Sequence, residues 1–483
     1  MELHVVIEGD RDLAGQLYRQ LKTSIRSGRL AAGARLPPTR LLATQLGLSR
    51  KTVSEAYARL TFDKLLTGRV GSGTFVAAQA PLRPALPTPP AIAGAAVAER
   101  WRTMDSPLRR IGLMGHSRYE YLGGVPDRSL FPAAEWRRCV LYAMRATTRS
   151  RALYGDAVGL PELRAAIARH VAFSRGVHCD AENIIVTNGA QQALDLVVRV
   201  LVEPGATVAM EDPGYPQIRL LAGAQGARLV GLPVDGEGLV PDAIPEGTRL
   251  VYTTPAHQFP LGMPMSTARR AALLARAHAI GAIVIEDDYD SDFRYEGRPT
   301  EALRSLDDQG CVAFVGTFSK VLSPDLRIGY LIAPPALREA LGIAKHLTDA
   351  HTMVPVQRAL AKFIDDGELA RHIRRCHAEY ALRRSHLQRR FAGDLAPWFE
   401  LVPALAGFHA AAMCRQEMDM DTVLRLARRM EVGLYGIADF YHFSPPRQGL
   451  MLGYGGIAAE DIDPSLDRLR DVLQQVTGPV GQS

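Results

Sequence analysis

Beyond residue 80 the chain holds three lysines, Lys320, Lys345 and Lys362, and arginine does nearly all other cationic work. Arginine cannot stand in for lysine where an amine must act as a nucleophile. Lys320 ends the run Gly316-Thr317-Phe318-Ser319-Lys320, just after the apolar stretch Val312–Gly316, and Arg327 follows seven residues later. An amine, two small hydroxyls and a guanidinium at a strand end suit a phosphorylated aldehyde. Lys320 would condense with the carbonyl as a Schiff base, while Thr317, Ser319 and Arg327 hold the phosphate. Taken alone, a lysine in such a loop is more often a surface residue.

Two further constellations bear on that chemistry. The segment Ile283-Val284-Ile285-Glu286-Asp287-Asp288-Tyr289 is a buried strand running into acids. Asp287 and Tyr289 are two residues apart and can face the same way. An Asp opposite a ring nitrogen keeps that nitrogen protonated, and a Tyr can hydrogen-bond a ring oxygen. The alternatives for the acidic cluster are a metal site or a solvated loop. The strand Ile184–Thr187 runs into Asn188-Gly189-Ala190-Gln191-Gln192 and a helix, whose first backbone N–H groups make an anion site. In Asp212-Pro213-Gly214-Tyr215-Pro216, Tyr215 can stack on a planar cofactor or be an ordinary turn residue.

A different chemistry sits at the other end. Residues 1–80 carry 12 Lys/Arg against 6 Asp/Glu, while residues 81–483 carry 45 of each, so the whole formal charge of +6 belongs to the first sixth of the chain. Such asymmetry points to a polyanion-binding head on a neutral body. A short helix, a Gly47 turn and a helix opening on Ser49-Arg50-Lys51-Thr52 meet the requirements of a helix-turn-helix. Arg50 can pair bidentately with guanine, and Lys51 and Thr52 can reach phosphate or bases. Arg40 is placed to grip a backbone phosphate. Arg69 and Gly71 lie on a hairpin that can approach the minor groove as a wing.

The elements that must position these residues follow from length and pattern. A chain of 483 residues with 47% hydrophobic content is expected to form two to three domains with proper cores. Five cysteines, far apart and without a CxxC pair, indicate neither a disulfide framework nor a metal site, and a reducing cytoplasm suits them. The first 25 residues lack a signal-peptide core, and the longest small-apolar stretch, Ala91–Ala98, is too short to span a bilayer. Leu13, Leu17, Leu21 and Ile25 mark a first helix. Thr39 is expected to cap a second, and Ser49 a third that turns Val53, Ala56, Tyr57 and Leu60 inward. Leu65-Leu66 and then Val70–Val76 read as two short strands around a glycine turn. Residues 1–80 thus form one domain, residues 81–118 a Pro/Ala-rich linker, and residues 119–483 a body.

In the body, strands at Ile184–Thr187, Thr207–Glu211, Leu250–Thr253, Ala282–Glu286, Val312–Gly316 and Gly329–Ala333 alternate with helices such as Gln191–Leu201 and Thr267–Ile280. Alternation of this kind argues a largely parallel sheet covered on both faces. Glu368–Phe391 reads as one long helix leading to a smaller C-terminal subdomain that ends with the helix Asp463–Val476.

Arg35-Leu36-Pro37-Pro38-Thr39-Arg40, Leu48-Ser49-Arg50-Lys51-Thr52-Val53 and Gly71-Ser72-Gly73-Thr74-Phe75-Val76 resemble the winged helix-turn-helix of the GntR superfamily. The Lys320, Asp287–Tyr289, Gly189 and Tyr215 segments, with Tyr154-Gly155-Asp156 and Thr254–Gly262, resemble the fold-type I, aspartate-aminotransferase-like pyridoxal-phosphate domain. That is an α/β fold with a mostly parallel central sheet and a smaller α+β subdomain. Joined by a proline-containing linker, the two resemble the MocR family of bacterial regulators, which includes GabR and PdxR types.

The resemblance implies pyridoxal 5'-phosphate as cofactor, with Lys320 as its Schiff-base lysine. Asp287 would partner the pyridine nitrogen, Tyr289 the ring oxygen, and Tyr215 would stack on the ring. Gly189, Ala190, Gln191, Thr317, Ser319 and Arg327 would surround the phosphate. It also implies operator DNA as partner, a head-to-tail homodimer, and either the cofactor itself or an amine as effector. The alternative is an active aminotransferase with an auxiliary DNA-binding head; a third reading is a scaffold whose body only dimerises.

Two departures from the enzymes stand out. Phe259-Pro260-Leu261-Gly262 replaces their usual Asn-Pro-x-Gly. In Gly449-Leu450-Met451-Leu452-Gly453-Tyr454, Met451 stands where enzymes and GabR-like sensors place an arginine for the substrate carboxylate; Arg447 lies four residues away. A thioether cannot hold a carboxylate, and a buried charge left unpaired costs roughly 2–5 kcal/mol. The chain is therefore expected to turn over ordinary α-amino acids weakly or not at all, which an assay with an amino donor and a 2-oxo acid acceptor checks; steady turnover would favour the enzyme reading.

Overall fold

The computed structural model describes residues 12–26, 29–69, 72–77, 97–104, 117–149, 154–296 and 301–478. The chain divides into two compact units, Met1–Val97 and Ala98–Ser483.

In the first unit, the helix Leu13–Arg26 turns Leu17, Leu21 and Ile25 inward, as their four-residue spacing requires. A second helix, Thr39–Leu46, ends on Gly47, whose φ of 65° is the left-handed turn that redirects the chain. The third helix, Arg50–Phe62, begins where Ser49 Oγ accepts the Thr52 N–H at 3.0 Å and buries Val53, Ala56, Tyr57 and Leu60. Thr39 is not the cap expected of it. It is the first helical residue, and Pro38 holds the cap position without a side-chain hydrogen bond. Pro38 is fixed in an extended conformation, and its carbonyl accepts from the Leu41 and Leu42 amides, so the boundary falls one residue early.

The hairpin pairs β1 (Leu66–Arg69) antiparallel with β2 (Gly73–Val76), Leu66 opposite Val76 and Arg69 opposite Gly73. Thr67, Gly68 and Arg69 are exposed, so no hydrophobic alternation marked them as strand. Leu66 and Val76 close the head's core with Leu17, Leu42, Val53 and Leu60.

Most of the expected linker lies outside the described residues. Within it a five-residue helix, Glu99–Thr103, stands where only an extended chain was anticipated. Past Pro90, the run Glu99-Arg100-Trp101-Arg102 has no proline and good helix formers.

The second unit holds β3 (Tyr119–Glu120), β4 (Ile184–Thr187), β5 (Thr207–Asp212), β6 (Arg228–Asp235), β7 (Gly238–Leu239), β8 (Thr248–Thr253), β9 (Ile283–Asp288), β10 (Val312–Thr317) and β11 (Gly329–Ile332). Eight of them form one sheet in the order β4-β11-β10-β9-β8-β5-β6-β7. The run β10, β9, β8, β5, β6 is parallel; β11 is antiparallel to both its neighbours, and β7 to β6. Buried on both faces, β4, β5 and β10 are shielded along their whole length. The helix Ala190–Leu201 covers one face, packing Leu194 and Val197 with Ile285 and Val315; the helix Thr267–Ile280 covers the other, packing Leu273 and Ala277 with Val284 and Val312.

Strand β6 escaped the sequence pattern: in Arg228-Leu229-Val230-Gly231-Leu232-Pro233 only Leu232 is fully buried, as suits a strand near the sheet edge.

The long helix Glu368–Ala392 leads to the antiparallel sheet β12 (Phe399–Leu401), β13 (His409–Cys414), β15 (Tyr435–Gly436) and β16 (Gly449–Gly453), in the order β12-β13-β16-β15. The two-residue strand β14 (Val432–Gly433) pairs with β3. The last helix runs Ala459–Thr477, one turn earlier than expected, because Pro464 lies inside it and does not open it. No helix among the described residues is long and apolar enough to cross a membrane.

Ser49→Ala removes the cap that starts the third helix and is expected to cost about 1 kcal/mol. Hydrogen exchange at the amides of residues 50–62 in the full-length protein reads that loss.

Candidate functional site

In the head, the acids among the described residues are already engaged. Glu55 pairs with Arg59 at 2.6 Å, and Asp63 with Lys22 at 2.6 Å. Arg40, Arg50 and Lys51 are exposed and make no ion pair among the described residues. Ser49 and Thr52 spend their hydroxyls on each other, 2.7 Å apart, so they shape the helix start as well as facing outward. Arg69 lies exposed on the hairpin over the Phe75 ring, 5.1 Å from its centroid. Gly71 falls outside the described residues. An uncompensated cationic helix start beside an arginine-bearing hairpin is what phosphate and base contacts require.

In the second unit, the parallel strands deliver their carboxyl ends to one cavity of about 330 Å³. Such crevices beyond strand ends are where open α/β sheets bind ligands. Its lining includes Ala190, Gln191, Tyr215, Asp287, Tyr289, Thr317, Ser319, Lys320 and Arg327. Gly189, at φ 78°, sits directly behind Arg327: a Cβ there would stand 2.8 Å from the guanidinium. The residues expected to hold the cofactor are thus brought together.

Lys320 is half-buried and donates to the Gly124 carbonyl at 2.6 Å. Burial pushes its amine below the usual lysine range, and Asp290 and Asp287 pull it back up. Asp287 accepts from the Tyr252 hydroxyl at 2.8 Å on Oδ2, while its buried Oδ1 has no partner. Burial pushes this carboxyl up to about 7, against the pull of the Tyr252 hydrogen bond. Tyr215 stacks 6.5 Å from Tyr252, and burial raises its phenol to about 12. Tyr289 donates to the His257 carbonyl at 2.7 Å. At the mouth, Arg327 adopts a left-handed φ of 50° and donates to the Asn188 carbonyl at 3.0 Å, which aims it across the start of the helix Ala190–Leu201.

Several residues of this site went unnoticed in the sequence. Gly123, Gly124, Tyr252 and His409 also line the cavity, together with Thr254 and Phe259 of the Thr254–Gly262 segment. Glu211 lies fully buried behind it, accepting from Thr253 at 2.5 Å and Thr254 at 2.7 Å. Lys345, wholly buried, pairs with Asp349 at 2.6 Å; Asp349 in turn accepts from Gln192 at 2.8 Å and from Asn188, tying down the 188–192 turn. Tyr252 carried a signal: a phenol hydroxyl on a buried strand needs a partner.

Met451 is buried on β16, and a Cβ on Gly123 would stand 2.8 Å from its Cε. It therefore backs the cavity wall without offering a charge. Arg447 is exposed and lines a different cavity of about 600 Å³ with Asp212 and Tyr441.

Comparison with known proteins agrees with both halves. The family described as bacterial regulatory proteins, gntR family, matches residues 13–76, and aminotransferase class I and II matches residues 118–441. The chain is similar to a probable rhizopine catabolism regulatory protein, MocR, of Rhizobium meliloti, with 35% identity covering 97% of this chain and 96% of that protein. It is similar to the pyridoxine biosynthesis transcriptional regulator PdxR of Corynebacterium glutamicum, with 32% identity covering 96% and 95%. Among solved structures, the kynurenine aminotransferase of Pyrococcus horikoshii superposes with a TM-score of 0.73 at 25% identity, covering 80% of this chain and 99% of that one.

Asp287 supplies a test by stability. Between an unfolded pKa of about 4 and a folded value of about 7, the folded state holds a proton the unfolded state has lost. Stability therefore falls as pH rises through that window. Asp287→Asn removes this dependence. Thermal unfolding of ligand-free protein across the window is expected to show the variant gaining on the wild type as pH rises; parallel curves would contradict the burial of this charge.

Proposed function

Because the chain belongs to the MocR family of GntR-type transcriptional regulators, we propose that its aminotransferase-like unit binds pyridoxal 5'-phosphate and serves as the sensor that controls its DNA-binding head. The observation that carries this reading is the buried, unpartnered Asp287 Oδ1 opening on the same cavity as Lys320. A buried carboxylate oxygen without a donor is costly, and a protonated ring nitrogen is the partner it lacks.

The residues present fit the cofactor. Asp287 would hold the ring nitrogen, Tyr289 the ring oxygen, and Tyr215 the ring face. Thr317, Ser319, Arg327 and the amides of Gly189, Ala190 and Gln191 would hold the phosphate, at a helix start that already favours an anion. Gly124 leaves room for the Lys320 amine, since a Cβ there would stand 2.8 Å from Nζ. When bound, the cofactor supplies an electrophilic carbonyl and an electron-withdrawing ring. The chain's own part is to present Lys320 to that carbonyl, keep a proton opposite Asp287 and exclude water with Tyr215, Phe259 and Tyr252.

The wall of the cavity favours sensing over turnover. Among the described lining residues the cationic side chains are Lys320 and Arg327, with the neutral-leaning His409 beside them. With Met451 behind Gly123, no further guanidinium among the described lining residues is left to hold a substrate carboxylate. The relatives named above are linked to rhizopine catabolism and pyridoxine biosynthesis. For this chain the effector is pyridoxal phosphate itself or an amine that does not depend on a carboxylate grip. The effector must favour one of two states of the regulator to change DNA binding at all. A homodimer working in the cytoplasm, with two heads on two half-sites, completes the reading. The second reading, a working aminotransferase, rests on the same Lys320 geometry and on the kynurenine aminotransferase likeness.

Gel retardation of the DNA upstream of the protein's own gene tests the proposal. A retarded complex is expected, and pyridoxal phosphate, alone or with an amine, is expected to change it for the wild type but not for Lys320→Ala. Absence of a complex under every condition would overturn the regulator reading. An unchanged response in Lys320→Ala would overturn the sensor role of this cavity.

A further inference from the structure

The turn between β4 and the helix Ala190–Leu201 lacks the side-chain cap that often fixes a helix start. Gly189 holds the cap position at φ 78° and ψ 172° and offers no side-chain acceptor. An Asp or Ser there would bond the first-turn amides and occupy the donors that an anion needs. The shape of this turn is therefore set by its neighbours.

It is held from two sides. On one side, β11 passes so close at Gly329 that a Cβ there would stand 2.7 Å from the Gly189 carbonyl carbon and 2.9 Å from the Ala190 nitrogen. On the other stands Asp349, the last residue of the helix Arg338–Asp349. Its Oδ2 accepts from Gln192 Nε2 at 2.8 Å and from the Asn188 side-chain amide. Gln192 Oε1 accepts from the Asn188 backbone N–H at 2.8 Å, and the Asn188 carbonyl accepts from Arg327 at 3.0 Å. One carboxylate oxygen thus fixes both ends of the 188–192 turn and reaches through Asn188 to the guanidinium at the mouth.

A carboxylate in that place carries two penalties. It sits at the negative end of its own helix, and its charge opposes an anion at the turn it holds. Lys345 answers both. It lies one turn earlier on the same helix, is 0% exposed, and donates from Nζ to Asp349 Oδ1 at 2.6 Å. Among the described residues its amine has no other acceptor. A buried ammonium left alone is costly, so each member of the pair depends on the other. The two oxygens of Asp349 divide the work: Oδ1 is neutralised by the lysine, and Oδ2 holds the turn.

We propose that Lys345 and Asp349 form a charge-neutral brace that sets the 188–192 turn for a phosphate monoester, and so make the cavity select a phosphorylated aldehyde over its unphosphorylated form. Both are positioning residues, and neither lines the cavity. They act on a ligand only through Asn188, Gln192 and Arg327. The proposal rests on the reading that this turn holds the cofactor's phosphate.

Ligand-free full-length protein is titrated with pyridoxal phosphate and with pyridoxal, and the visible absorption of the bound aldehyde is followed. Gln192→Ala removes two links of the turn and leaves the buried pair intact. It is expected to weaken pyridoxal phosphate about tenfold and pyridoxal little. Lys345→Met, which leaves the carboxylate without its counter-charge, is expected to act in the same direction. Adding Asp349→Asn to it removes the stranded charge and is expected to recover part of the loss. Asp195→Ala, which breaks a surface pair with Arg199 on the helix Ala190–Leu201, is expected to leave both affinities alone. If the Lys345 variants do not fold, Gln192→Ala carries the test. A preference for the phosphorylated aldehyde that Gln192→Ala leaves unchanged, or an equal loss with both aldehydes, would overturn the proposal. No recovery in the folded double variant would overturn the role given to charge.

Inorganic phosphate provides an arm that does not need the cofactor. It is expected to slow hydrogen exchange at the amides of residues 189–192 in the wild type, and to do so less in Gln192→Ala. If neither aldehyde binds the wild type, the cofactor reading fails by itself. Phosphate protection that Gln192→Ala weakens would then still uphold the brace, and no protection in the wild type would overturn it.

Discussion

A carboxylate removed from water needs a donor for each oxygen, and Asp287 finds one for only the first of them. Tyr252 satisfies Oδ2, and Oδ1 is left buried at the cavity floor. The rest of the second unit can be read from that imbalance. The parallel strands β5, β8, β9 and β10 end together, so their terminal side chains converge on one crevice. Lys320 enters from the end of β10 and Asp287 from β9, with adjacent strands in register at Val315 and Asp287. The helix start beyond β4 and the left-handed Arg327 then face an anion at the mouth. A ligand carrying both a protonated ring nitrogen and a phosphate would answer the floor and the mouth at once.

Charge is partitioned between the two units with little waste. In the head, Glu55 and Asp63 are neutralised by Arg59 and Lys22, which leaves the recognition-helix cations Arg50 and Lys51 for a polyanion. In the body, the buried cations serve neighbours: Lys345 holds Asp349, and Arg175 holds Asp292 at 2.9 Å. That economy is why Met451 matters. On that side the described wall is thioether, aromatic rings and glycine, and it offers no cation to a ligand carboxylate.

Much of this was legible in the sequence, and the reasons differ by feature. Helices with regular apolar spacing, such as Leu13–Arg26 and Thr267–Ile280, and strands buried on both faces, such as β4 and β10, announce themselves because one physical demand shapes every residue. Lys320, Asp287, Tyr289 and Arg327 were visible through residue types that nothing else can replace. Strand β6 was not, since one buried leucine and a proline leave no period to detect. Thr39 was misassigned as a cap because Pro38 does that work with its backbone, which carries no side-chain signature. Tyr252 and His409 were missed for another reason: they come from separate strands, and only the fold brings them to the same cavity as Asp287.

The central claim is that one amine, Lys320, receives pyridoxal phosphate in this cavity. The most direct measurement is borohydride reduction of the full-length protein incubated with the cofactor, followed by peptide mapping. A stoichiometric pyridoxyl-phosphate adduct on the peptide containing Lys320, absent from those containing Lys345 and Lys362, is the expected result. Recovery of that peptide unmodified, or an adduct spread over exposed lysines, would contradict it.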